Sequence, residues 1–114
     1  MSDPVNKLFV YGTLGPGRPN EHWLTKIGGT FQEAQVRGRL YPEGWGATMG
    51  YPALALVPGG EVVRGHIFES ENLDLHWQEL DEFEGEGYLR VLTEVTLKDG
   101  SSTQAYCYSL NSSG

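Results

Sequence analysis

Residues 88–110 read YLRVLTEVTLKDGSSTQAYCYSL, and their pattern decides the fold class. From Tyr88 to Leu97, the residues Leu89, Val91, Thr93, Val95 and Leu97 fall on one side of an extended chain. Lys98-Asp99-Gly100 follows, and Asp-Gly between two alternating runs is a hairpin cue. The return strand is expected over Thr103 to Leu110. Working outward, Pro52 to Val57 and Glu61 to Phe68 flank Pro58-Gly59-Gly60 and predict a second hairpin. Lys7 to Tyr11 and Phe31 to Tyr41 are further strands, the latter broken by Gly38.

Two segments carry helix signals. Asn20 to Ile27 opens after Pro19 and stops at Gly28-Gly29. Ser70 to Glu84 offers Ser70 or Asn72 as a cap, Glu71 and Asp74 in the first turn, and Gly85 as the stop. Pro42 to Gly50 is glycine-rich and expected to be a loop. Six short strands and two helices predict an α+β domain, a small mixed β-barrel of about six strands with two flanking helices. A chain of 114 residues, 39% hydrophobic and 11% aromatic, is the size of one such domain, residues 1–114.

Charge and cysteine usage narrow the function classes. Fifteen acidic and eight basic residues give a formal net charge of −7, which argues against nucleic acid, since such partners need a basic stripe. No stretch approaches the roughly 18 apolar residues of a membrane span. The N-terminus, MSDPVNK, has no apolar run of signal-peptide length. Cys107 is the single cysteine, so no internal disulfide is possible and a reducing, cytoplasmic setting is expected. His22, His66 and His76 show no metal-ligand spacing, and no metal or cofactor site is expected.

Two stretches ask for more than packing. Tyr11 to Arg18, YGTLGPGR, places three glycines and a proline after the apolar run Leu8-Phe9-Val10. A P-loop reading fails, because Arg18-Pro19 stands where lysine and then Ser or Thr are needed. An ordinary strand-to-helix turn accounts for the composition. The order strand, glycine turn, helix start is also the arrangement that presents N–H groups to an anion, with Arg18 as a charged donor. A carboxylate fits such a cradle as well as a phosphate does.

The second stretch is Glu79 to Arg90, ELDEFEGEGYLR, with five carboxylates in eight residues. Glu79, Glu82 and Glu86 read as a solvated helix end. Glu84 differs. Leu73, Trp77 and Leu80 mark an apolar face, and at roughly 100° per residue Glu84 continues it while Glu82 points away. A carboxylate there needs a task or a partner, and burial would raise its pKa toward the range useful in acid–base work. A helix that ends before Glu84 would remove the argument, so periodicity leaves the question open.

Together these stretches resemble the γ-glutamylcyclotransferase-like family, which includes γ-glutamylamine cyclotransferases and AIG2-like proteins. The matches are Tyr11-Gly12-Thr13-Leu14, Leu80-Asp81-Glu82-Phe83-Glu84-Gly85 and Tyr88-Leu89-Arg90. Arg18 to Leu24, Tyr51-Pro52-Ala53-Leu54 and Tyr106-Cys107-Tyr108 support them, and the resemblance covers nearly the whole chain. It implies a small β-barrel with flanking helices and no metal or organic cofactor. It implies that Tyr11, Gly12, Thr13 and Leu14 hold the α-amino-acid end of a γ-glutamyl group, and that Glu84 is the catalytic glutamate. Arg18 and Tyr88 join the expected substrate contacts, with Arg90 either lining or bracing the pocket. The expected reaction is attack of the substrate's α-amine on its own γ-carbonyl, releasing 5-oxoproline and a free amine or amino acid. The partner is then a small γ-glutamyl molecule. The rival class is a non-catalytic module binding an amino-acid-like ligand, which has no need of a carboxylate at Glu84. A hydrolase using Asp81 and Glu84 is disfavoured, because three residues on a helix bring them too close for a water-spanning pair. The sequence carries no indication of oligomeric state.

Overall fold

The computed structural model describes residues 6–11, 21–41, 53–57, 59–84 and 88–110. Six strands run in chain order as β1 (Lys7–Val10), β2 (Thr30–Tyr41), β3 (Ala53–Leu56), β4 (Glu61–Glu69), β5 (Tyr88–Leu97) and β6 (Ser102–Leu110). Helix α1 is the short turn His22–Thr25, and α2 is Trp77–Glu84. The sheet order is β3-β2-β4-β1-β6-β5, and β5 returns to pair with β2 at Ala34↔Leu97 and Gln35↔Thr96. Five strands therefore close a barrel, and β3 is an extra strand on β2. The barrel is mixed, because β1 pairs antiparallel with β4 and parallel with β6.

Alternation sorts the apolar side chains into two sets. Phe9, Ala34, Val36, Leu54, Val63, Ile67, Val95, Ala105 and Cys107 pack together with strand residues alone and fill the barrel. Leu8, Val10, Phe68 and Tyr108 pack with Leu24, Ile27, Leu73, Trp77 and Leu80, which places them under the helices. Successive residues of β1 serve both sets, so its apolar run does not alternate. On β5 the expected inward side holds at Val95, which is fully buried, but its first member, Leu89, is exposed.

The 88–110 hairpin forms as expected. Leu97 N donates to the Ser101 carbonyl, and Gly100 N to that of Leu97 (2.7 and 3.0 Å). The Ser101 hydroxyl and backbone N–H both donate to Asp99 Oδ1, and together they hold its carboxyl below the ordinary range.

The second expected hairpin is corrected. β3 and β4 do not pair with each other; β2 lies between them, with Gly38 opposite Leu56 on one edge and Glu61 on the other. Both strands pair antiparallel with β2 and therefore run the same way, so the chain crosses from one edge of β2 to the other without reversing, against the hairpin cue. The crossing runs over Gly38, where any β-carbon would overlap the Ala55 carbonyl oxygen. The Pro42 to Gly50 segment and the Pro58 position lie outside the described residues.

The Ser70 to Glu84 segment is also divided. A single 3-10 turn, Leu73–Leu75, precedes α2, and His76 at φ −122° leaves helical geometry between them. Asn72 does not cap with its side chain; its Nδ2 donates to the Ile27 carbonyl (3.0 Å), while Ser70 Oγ donates to that of Gly28. These side chains tie the segment to the end of α1, which delays the regular helix. The apolar face is nonetheless as read: Leu73 and Leu80 are fully buried and Trp77 nearly so. Among the described residues, no helix is long and apolar enough to cross a membrane.

Gly65 on β4 lets the end of β1 approach. A β-carbon there would overlap the Val10 carbonyl oxygen and stand 2.8 Å from Phe9 Cζ. Gly65→Ala should therefore destabilise by about 1–3 kcal/mol, the range for an overpacked core. The check is a lower urea midpoint at an unchanged m-value.

Candidate active site

Helix α2 runs through Glu84, its last residue, and β5 begins at Tyr88. The expected catalytic glutamate thus ends the helix and the expected substrate contact opens the next strand. Tyr88 is half-buried and packs on the cluster beneath the helices. Tyr11 follows β1 directly, half-buried against the barrel interior. Gly12, Thr13, Leu14 and Arg18, and the side chain of Glu84, lie outside the described residues.

One chain of contacts connects the exit of β1 with α2. The Tyr11 phenol donates to the Tyr108 carbonyl (2.6 Å). The Tyr108 phenol donates in turn to Asp81 Oδ1 (2.7 Å). Arg90 Nε meets the same oxygen at 3.1 Å. The Arg90 guanidinium lies over two rings, 4.5 Å from the centroid of Trp77 and 5.0 Å from that of Tyr106. Those two rings meet edge-on at 5.1 Å. Nearer the end of α2, Phe83 packs on Trp23 of α1 with centroids 4.7 Å apart.

Local sequence explains each placement. Trp77 and Asp81 are four residues apart and share one side of α2. Arg90 and Tyr108 are cross-strand partners in the β5–β6 register, so both side chains rise from one face. Tyr106 and Tyr108 share that face through the alternation of β6. The charged and aromatic contacts are charge-assisted hydrogen bonds and a cation over two aromatic rings.

Asp81, Trp77, Tyr106 and Tyr108 were not among the expected site residues. Leu-Asp-x-Phe-Glu-Gly and Tyr-x-Arg contain the signal, but the partnership of Asp81 with Arg90 and Tyr108 needs the β5–β6 register. Asp81 bound in this way is a poor candidate for hydrolytic chemistry. Arg90, left open between lining and bracing, contacts α2 through Asp81 and Trp77. Glu82 and Glu79 are exposed, as expected for a solvated helix side. Among the described residues, no three His, Cys, Asp or Glu side chains gather as a metal-holding group.

Trp77 links the apolar face of α2 to the Arg90 stack. Trp77→Ala should cost about 3–5 kcal/mol, typical of deleting a buried large aromatic. Chemical denaturation of the purified variant measures it.

Comparison with known proteins gives a consistent result. The family description "Gamma-glutamyl cyclotransferase, AIG2-like" matches residues 8–114. A Gamma-glutamylaminecyclotransferase A of Danio rerio is 36% identical over 110 residues, covering 90% of this chain and 67% of the relative. A crystal structure of an AIG2-like protein of Mus musculus superposes with a TM-score of 0.74 at 26% identity, covering 98% of this chain and 81% of the other. YkqA of Bacillus subtilis superposes with a TM-score of 0.70 at 28% identity, covering 93% of this chain and 36% of the other.

Proposed function

The chain belongs to the γ-glutamyl cyclotransferase, AIG2-like family, and on that premise we propose that it cleaves γ-glutamyl amines or peptides by cyclisation, releasing 5-oxoproline. The observation that carries the reading is the extent of α2. The helix continues through Glu84, so the motif glutamate stands at its end, and the preceding turn is tied through Tyr108 to the exit of β1. The turn after β1 is the proposed cradle for the α-amino-acid end of the substrate, with Tyr11, Gly12, Thr13, Leu14 and Arg18. Tyr88 is the proposed contact from β5.

The chemistry follows from the substrate. Its α-amine attacks its own γ-carbonyl carbon, a five-membered ring closes, and the amide C–N bond breaks. Both reacting groups belong to one molecule, so holding the productive rotamer supplies most of the advantage; oriented intramolecular reactions reach effective molarities on the order of 10⁵ M or more. Proton transfer remains. The attacking amine loses a proton to the Glu84 carboxylate, and the leaving nitrogen takes one back from it. Backbone N–H groups of the glycine turn are suited to the developing oxyanion. None of these steps calls for a Lewis acid. A small γ-glutamyl solute and a single, buried cysteine suit a reducing, cytoplasmic setting.

Incubating the purified protein with a panel of γ-glutamyl amines and dipeptides should yield 5-oxoproline by chromatography; ligand binding without product would favour a non-catalytic module. Glu84→Gln removes the proton carrier and should lower turnover roughly 10²–10⁴-fold. Glu82→Gln, on the exposed side of the helix, should keep near-normal turnover, and equal losses in the two variants would defeat the assignment. Gly12→Val should weaken ligand binding more than it lowers the melting temperature, because a β-branched side chain blocks close approach to the turn. Turnover should survive exhaustive chelation.

A further inference from the structure

We infer that Asp81, Arg90 and Tyr108 act together as a positioning clamp, setting the end of α2 relative to the exit of β1 so that Glu84 meets a substrate held by the glycine turn. The inference rests on the proposed cyclotransferase reading, and it assigns to these residues a task in turnover beyond stability.

The need for a clamp comes from the helix. α2 has eight residues, and an isolated helix of that length is unstable in water. Its direction must therefore come from tertiary contacts. Trp77 and Leu80 supply apolar burial on one side, which sets the rotation of the helix coarsely, but apolar contact is non-directional and tolerates small turns about the axis. Asp81 lies one turn before Glu84, and its Oδ1 receives two donors from different strands, the Tyr108 phenol of β6 and Arg90 Nε of β5. Arg90 is itself held over Trp77 and Tyr106. Two directional bonds from fixed strands refine the rotation that burial sets coarsely.

Tyr108 joins the two halves of the site. Its hydroxyl holds the helix, and its carbonyl accepts the Tyr11 phenol at the start of the proposed cradle. One residue of the sheet thus refers both ends of the site to the same backbone position. Loss of the clamp should leave substrate binding largely intact and misplace the proton carrier.

The test uses the full chain with γ-glutamyl-alanine and γ-glutamyl-methylamide as probes and 5-oxoproline release as readout. Tyr108→Phe removes only the hydroxyl, and Asp81→Asn keeps the shape of a half-exposed side chain, so at least one variant remains folded for assay. Each should lower kcat about ten- to a hundredfold, the scale of a displacement near 1 Å, with KM little changed. In a Glu84→Gln background the same substitutions should cause no further loss, because the clamp acts through Glu84. Normal kcat in both single variants with only a lowered melting temperature would overturn the inference and leave the cyclotransferase reading standing. So would losses that multiply fully with that of Glu84→Gln. Normal turnover in Glu84→Gln, or no product from either probe with the unaltered chain, would overturn the general-base reading and the clamp with it.

Discussion

Strand β1 is covered on both faces and bonded on both edges. Leu8 and Val10 lie under the helices, Phe9 fills the barrel, and β4 and β6 run alongside in opposite directions. Each such fully buried side chain is worth about 1.5–3 kcal/mol of apolar burial. A slip of one residue would exchange the two faces and put Phe9 where Leu8 and Val10 belong. The position of Tyr11, and therefore the start of the glycine turn, follows from that register. Gly65 belongs to the same constraint, since only a residue without a side chain admits the end of β1 at that point.

The helices depend on this arrangement rather than the reverse. α1 is a single turn and α2 two turns, and neither is long enough to persist alone. They complete a surface that the strands have already shaped. Ser70 and Asn72 donate to the carbonyls after α1, and Phe83 meets Trp23 across the two helices. The division of labour is physical. Burial gathers these pieces, while Asp81, Arg90 and the tyrosines give them direction.

Much of this was legible in the sequence because it is local. The Asp99-Gly100 hairpin, the six strands and the apolar face through Leu73, Trp77 and Leu80 follow from periodicity and turn chemistry. What failed was non-local. Pro58-Gly59-Gly60 reads as a hairpin turn, but β2 separates the strands on either side and both run antiparallel to it, so the chain crosses over instead of reversing. The helix expected from Ser70 is interrupted because Asn72 spends its side chain on Ile27, a partner 45 residues away. For the site, motif and helical spacing singled out Glu84, and the glycine turn after β1 stood out by composition. Asp81 was weighed only as a hydrolytic companion of Glu84, since its partners come from strands that only the register brings beside it.

The bond from Tyr11 to Tyr108 spans 97 residues of sequence, and it accompanies a parallel pairing between β1 and β6. Closing so long a loop costs entropy before any contact repays it, and folds dominated by such pairings form slowly. During synthesis β1 leaves the ribosome before either of its partners and has β4 alone as an edge partner until β6 follows. The parallel edge, the barrel closure by β5 and the Tyr108 link to α2 all arrive with the same late hairpin. The link from Tyr11 through Tyr108 to Asp81 is thus coupled to completion of the sheet and forms only once β6 is in place.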